Sequence, residues 1–208
     1  MADKEKYVTL GGEASAELVE RKSVFIGHAA HIADEAGALE FIKRIKHERS
    51  DATHNVYAYV TAGGAAARYS DDGEPQGTAG IPVLDVIRKS GFTDAVIVVT
   101  RYFGGILLGA GGLVRAYGSA AKLAVDAAKI VTYERFTEFT VSFAYTDYGK
   151  AQYEAPKYGV RVDNTDFGVG VVMRCAVKAG DYPRFAAAVA EMTSGRAIFG
   201  VTGERWDK

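Results

Sequence analysis

The sequence predicts an α+β protein of two domains, divided near residues 133–136. Three observations predict it. β-Forming and helical runs are interleaved along the whole chain rather than gathered into one class. A glycine-dense stretch in the first part opens onto a long alanine-rich helix. After Tyr133 the elements follow the order βαββαβ, the split unit of ferredoxin-like folds. The expected boundaries are 1–134 and 135–208.

The elements follow from local pattern. Residues 7–10 and 24–29 are short apolar runs rich in β-formers, and they read as strands. Asp34 is an N-cap for a helix over 35–48, in which Ala38, Phe41, Ile42 and Ile45 recur at helical spacing. The alternating run 55–60 is a strand. Residues 61–78 show no apolar period and contain Gly63, Gly64, Gly73, Pro75 and Gly77, so they form a long polar loop. A helix over 79–90 follows, with Pro82 in its first turn and Gly91 as its stop. The continuous β-branched run 95–100 predicts a strand buried on both faces. The helix beyond the glycines presents Leu113, Ala116, Tyr117, Ala120, Ala121, Ala124 and Ala128 on one face. So much alanine implies close packing against a sheet. In the second part, 136–145 is a strand, 148–158 a helix, and 159–166 with 168–178 a hairpin. Asp181 then caps a helix carrying Phe185, Val189 and Met192, and 197–205 closes as a strand.

Composition bounds the function. No run approaches the ~18 apolar residues of a membrane span, and the charged start from Met1 to Lys6 has no apolar signal core. Cys175 is the single cysteine, so no internal disulfide forms. A reducing, cytoplasmic setting without membrane contact is expected. The formal net charge is −1, and residues 1–134 hold 15 Lys/Arg against 17 Asp/Glu. A non-specific nucleic-acid binder carries a basic excess; any RNA contact here would rest on a local patch.

Two segments concentrate chemistry. The first runs from Ser70 to Gly80 and holds Asp71, Asp72, Glu74 and Gln76. Its carboxylates could take a hard cation, cap the next helix, or shape a partner-recognition rim. No EF-hand spacing is present, and no His is close enough in sequence to complete an acid–base site. The second runs from Thr100 to Arg115. Arg101, Tyr102 and Phe103 are a stacking-and-phosphate element for single-stranded RNA, or equally a protein-interface element. Gly109, Gly111 and Gly112 form an anion-tolerant turn before a helix, or serve only for tight helix–sheet packing. Gly104 to Gly109 lacks the Lys and Ser/Thr of a phosphate loop, and Val114 stands where a dinucleotide fingerprint needs its third glycine. The scattered histidines, Ser119 and Cys175 form no catalytic or metal constellation, so neither a catalytic residue nor a metal or cofactor is expected.

These two segments together resemble the signature of the IMPACT/YigZ family. The supporting pieces are Lys22-Ser23-Val24-Phe25-Ile26 and Ala52-Thr53-His54-Asn55-Val56-Tyr57-Ala58-Tyr59. The resemblance spans about residues 19–128 and extends more weakly to the last third. It implies an N-terminal left-handed βαβ domain like the fourth domain of elongation factor G, followed by a ferredoxin-like domain. It also implies a role in translation regulation, since eukaryotic relatives compete for the activator of a general-control kinase. The expected function is therefore a non-catalytic binding protein contacting the ribosome, RNA or a translation factor. Asp71, Asp72, Glu74, Gln76, Arg101, Tyr102, Phe103 and Arg115 would be its contacts. The competing expectation is a nucleotide- or phosphate-ligand-binding protein or enzyme using the glycine-rich turn 104–112.

Overall fold

The computed structural model describes residues 6–61 and 64–208. Gly63, placed in the long loop above, and the first five residues lie outside that description. The chain divides into a unit of Tyr7–Thr132 and a unit that contains Lys6 and Tyr133–Lys208.

In the first unit β1 (Lys6–Leu10, whose first residue belongs to the second unit), β2 (Ala14–Glu20), β3 (Ser23–His31), β4 (His54–Thr61), β5 (Ala66–Ser70) and β6 (Ala95–Tyr102) alternate with α1 (Glu35–Glu48), α2 (Gly80–Ser90) and α3 (Gly109–Ala128). Five of the strands form an antiparallel sheet in the order β2-β3-β6-β4-β5. β6 is central, and seven of its eight residues are buried, as its β-branched run predicts. Its side chains alternate between two cores. Ala95, Ile97 and Val99 pack under α2 and α3 with Phe25, Val56 and Ala58. Val96 and Val98 pack under α1 with Ala30, Phe41, Ile45 and Tyr59.

The alanines of α3 let its backbone approach the sheet. A Cβ added at Gly27 would stand 2.4 Å from the Ala120 carbonyl oxygen and 2.9 Å from the Ala124 Cβ. Asp34 accepts from the Gly37 amide at 2.8 Å and starts α1. Gly91, at φ 73°, ends α2 in the left-handed region, where glycine has no Cβ penalty.

The structure departs from the sequence expectations at four elements here. β2 was absent from them because it is an edge strand with mostly exposed residues. β5 lies inside the segment expected to be one long loop; it is short, polar and also at an edge. α3 begins at Gly109, so Gly109, Gly111 and Gly112 are its first turn rather than a turn preceding it. In the second unit Asp181 precedes α5 without capping it, because its carboxylate accepts from Arg184 instead.

That second unit has β7 (Ile130–Phe143, whose first three residues belong to the first unit), α4 (Tyr145–Glu154), a 3-10 turn (Ala155–Tyr158), β8 (Arg161–Phe167), β9 (Val171–Lys178), α5 (Tyr182–Met192) and β10 (Ile198–Asp207). The sheet order is β10-β7-β9-β8, all antiparallel. One face carries Phe139, Val141, Met173 and Val177 against Phe185 and Val189 of α5. Ionic side chains pair across other strand positions: Arg205 meets Asp163 at 2.8 Å, and Arg161 meets Asp207 at 2.6 Å. No helix among the described residues is long and apolar enough to cross a membrane.

Candidate functional site

The two sequence segments meet at one place in the first unit, through a buried carboxylate. Asp72 at φ 46° and Gly73 at φ 89° are consecutive left-handed residues; they reverse the chain and aim Glu74 inward. Glu74 Oε1 accepts from Arg101 Nη1 at 2.6 Å and from the Tyr117 hydroxyl at 2.8 Å. Arg101 is 5 % exposed and Glu74 8 %. The guanidinium lies between two rings, 5.5 Å from Phe25 and 5.4 Å from Phe103. Burial, with the neighbouring Glu74 carboxylate second, pushes the Tyr117 phenol far above its usual value, so it acts only as a donor. His54 Nδ1 lies 2.7 Å from the Asp72 carbonyl oxygen and must carry the proton there; its Nε2 faces Glu74 at 3.9 Å.

The other acids of the loop are committed to its own folding. Asp71 accepts from the amides of Gly77 (2.9 Å), Ala79 (3.1 Å) and Gly80 (2.7 Å), which closes the loop and caps α2. Asp72 accepts from the Asn55 amide and from Lys46, each at 2.6 Å. Among the described residues no group of three or more His, Cys, Asp or Glu comes together to hold a metal ion.

Arg101 and Glu74, expected at a partner surface, are instead buried against each other beneath Phe103. Asp71 and Asp72 likewise shape the loop from within rather than its rim. Tyr102 separates from its sequence neighbours because successive strand residues point to opposite faces. Arg101 faces α3, whereas Tyr102 donates to Asp51 at 3.0 Å on the α1 side. Gln76, Phe103 and Arg115 are exposed. Gly109, Gly111 and Gly112 lie in the first turn of α3, where Leu108 offers no side-chain cap and no acid is present.

Residues 103–108 form an exposed loop with a fixed base. The Phe103 amide donates to Thr53 Oγ1 and the Gly104 amide to Ser23 Oγ, both at 3.1 Å. A Cβ on Gly104 would come within 2.0 Å of the Lys22 carbonyl carbon and oxygen, so only glycine fits. Leu107 is 81 % exposed, and Phe103, Ile106 and Val114 are between 41 % and 45 % exposed. The sequence expectations omitted Ile106, Leu107 and Val114. The signal was present, as Ile106-Leu107-Leu108 is an apolar run between glycines with no strand or helix period to bury it. His54, Lys46, Asn55 and Tyr117, which hold the loop, were also omitted from the site.

Residues 21–125 match the family model described as the Impact N-terminal domain, and residues 141–196 match a domain of unknown function, DUF1949. The chain belongs to the IMPACT family. It is 36 % identical over 192 residues to IMPACT family member YvyE of Bacillus subtilis, covering 92 % of this chain and 88 % of that protein. It is 34 % identical over 178 residues to IMPACT family member YigZ of Escherichia coli, covering 84 % and 87 %. A crystal structure of a hypothetical protein superposes with a TM-score of 0.61 at 30 % identity, covering 96 % of this chain and 98 % of that one. The family match contains every residue of the Glu74 cluster.

Proposed function

We propose that this IMPACT-family chain is a non-catalytic binding protein of translation regulation, which contacts a protein of the ribosome or a translation factor through residues 103–108 and the start of α3. The observation that carries the reading is the exposed apolar loop on a rigid base. Leu107 stands 81 % exposed, while the Arg101–Glu74–Tyr117 cluster beneath fixes the backbone that presents it. Rigid apolar groups flanked by an arginine are what protein interfaces use as anchors. The translation link rests on the family resemblance. So do two finer fold readings: a left-handed βαβ fold like the fourth domain of elongation factor G for the first unit, and a ferredoxin-like fold for the second. The antiparallel order β10-β7-β9-β8 supports the latter.

Co-sedimentation with ribosomes at low salt tests the reading. Wild type should pellet with the particles, and Leu107→Asp should stay in the supernatant with its fold intact. Wild type that stays behind overturns the ribosomal assignment. A nucleotide or phosphate ligand at the first turn of α3 is the competing reading, favoured by the uncapped amides there. A thermal shift produced by ATP with Mg²⁺ would select it.

A further inference from the structure

The apolar loop does not stand alone on its surface. β2 and β3 are joined by a two-residue turn, with Glu20 paired to Ser23, and the turn residues are Arg21 and Lys22. Both are left-handed, at φ 46° and 69°. Such a turn suits Asn-Gly, because L side chains disfavour this region. This chain instead puts two exposed cations there. The close approach of Gly104 to Lys22 and Ser23 sets the turn against the base of the 103–108 loop. On the far side of the loop, Arg115 Nη1 lies 3.6 Å from the position a Gly111 Cβ would take, over the first turn of α3.

Among the described residues, Arg21, Lys22 and Arg115 make no ion pair, whereas Arg44, Arg101, Arg161 and Arg205 all do. Glu20 is the acid at the turn itself. Asp51, also near this end of the sheet, lies on the other face with Tyr102. Cations without an ion pair therefore stand at both ends of the segment that carries exposed Ile106 and Leu107.

We propose that this surface binds an acidic amphipathic segment of a partner protein, its apolar side chains on Leu107 and Ile106 and its carboxylates on Arg21, Lys22 and Arg115. This names the partner chemistry for the site proposed above and rests on that reading. Charge complementarity selects an acidic occupant, and the aliphatic strip selects a protein over RNA. Ile106, Leu107 and Val114 offer bases no ring to stack on, and Phe103 already covers Arg101.

The test uses the full chain and a fluorescein-labelled helical peptide with leucines on one face and glutamates on the other, read by anisotropy at low salt. Wild type should bind it, and a peptide with lysine for every glutamate should not bind. Arg21→Asn with Lys22→Gly suits the turn better, so it should unfold no earlier than wild type and yet bind at least about tenfold more weakly. Leu107→Ser should weaken binding by a similar factor. Equal binding by the Asn-Gly variant, or equal binding of the lysine peptide, overturns the proposal. So does binding of oligouridylate or phosphatidylserine vesicles in place of the acidic peptide. Ribosome co-sedimentation that Leu107→Asp abolishes and the Asn-Gly variant retains would overturn this proposal alone. Peptide binding without any co-sedimentation would instead remove only the ribosomal assignment.

Discussion

Arg101→Ala separates an internal brace from a partner contact. In the folded chain this guanidinium is paired with Glu74 at 2.6 Å, and both groups are almost wholly buried. Truncating one partner of such a pair costs about 3–5 kcal/mol, because the remaining carboxylate keeps its desolvation penalty without its counter-charge. Loss of the guanidinium from between Phe25 and Phe103 adds about 0.5–1 kcal/mol. The expected loss is therefore about 3.5–6 kcal/mol, much of the ~5–15 kcal/mol that holds a domain together. Replacing the whole cluster, Arg101→Met with Glu74→Leu and Tyr117→Phe, should recover most of it, since apolar groups of similar volume need neither a counter-charge nor a hydrogen-bond partner. Urea unfolding followed by far-ultraviolet circular dichroism gives the numbers. The first unit contains no tryptophan, so the fluorescence of Trp206 reports on the other unit. If Arg101→Ala were within about 1 kcal/mol of wild type yet failed to bind ribosomes, the guanidinium would be a contact and the brace argument would collapse.

Asp71→Ala removes the acceptor for one loop amide and two amides at the start of α2 and should cost about 2 kcal/mol, measured in the same unfolding experiment. Gly104→Ala places a Cβ against immovable backbone of Lys22; a loss of about 3 kcal/mol, with displacement of the loop visible as new protease sensitivity, is expected. Arg115→Ala, exposed and without an ion pair among the described residues, should leave stability within about 0.5 kcal/mol. Tyr59 is pushed up to about 12 by burial, with its hydrogen bond to Glu35 second, and Tyr117 is pushed higher still. Both keep their protons in the folded chain after the unfolded chain has begun to lose them near pH 10. Stability should then fall as pH rises through that region, and thermal unfolding of Tyr59→Phe and Tyr117→Phe should show a flatter alkaline limb.

What the sequence disclosed follows the strength of its local signals. Asp34 and the i, i+3, i+4 spacing of Ala38, Phe41, Ile42 and Ile45 specify α1 almost to the residue, because cap and apolar period agree. The β-branched run identifies β6 because that strand is buried on both faces. β2 and β5 left no such trace. An edge strand half exposed to water needs neither a continuous apolar run nor strict alternation, and β5 carries Arg68 and Ser70 among its five residues. The site was legible as two segments that meet, and illegible in its polarity. Nothing local to Arg101 states that its partner is Glu74, 27 positions earlier; that pairing depends on the reversal at Asp72 and Gly73.

The same geometry explains why the charged residues of the long motifs mislead a reader looking for contacts. Glu74 and Arg101 satisfy each other, and each would be costly to leave unpaired in a dry interior, while half-buried Asp72 is taken up by the Asn55 amide and Lys46. Once their charge is used internally, it is unavailable to a ligand. The groups left for recognition are those that internal structure does not need: Leu107 and Ile106 on the loop, Arg115 on α3, and the two cations at a turn whose backbone would relax with Asn-Gly. Arg21 and Lys22 are the decisive pair, because removing them should spare the fold. If their removal weakens binding while unfolding is delayed or unchanged, these cations serve a partner rather than the chain that carries them. Unchanged binding would leave the apolar strip as the whole of the recognition surface.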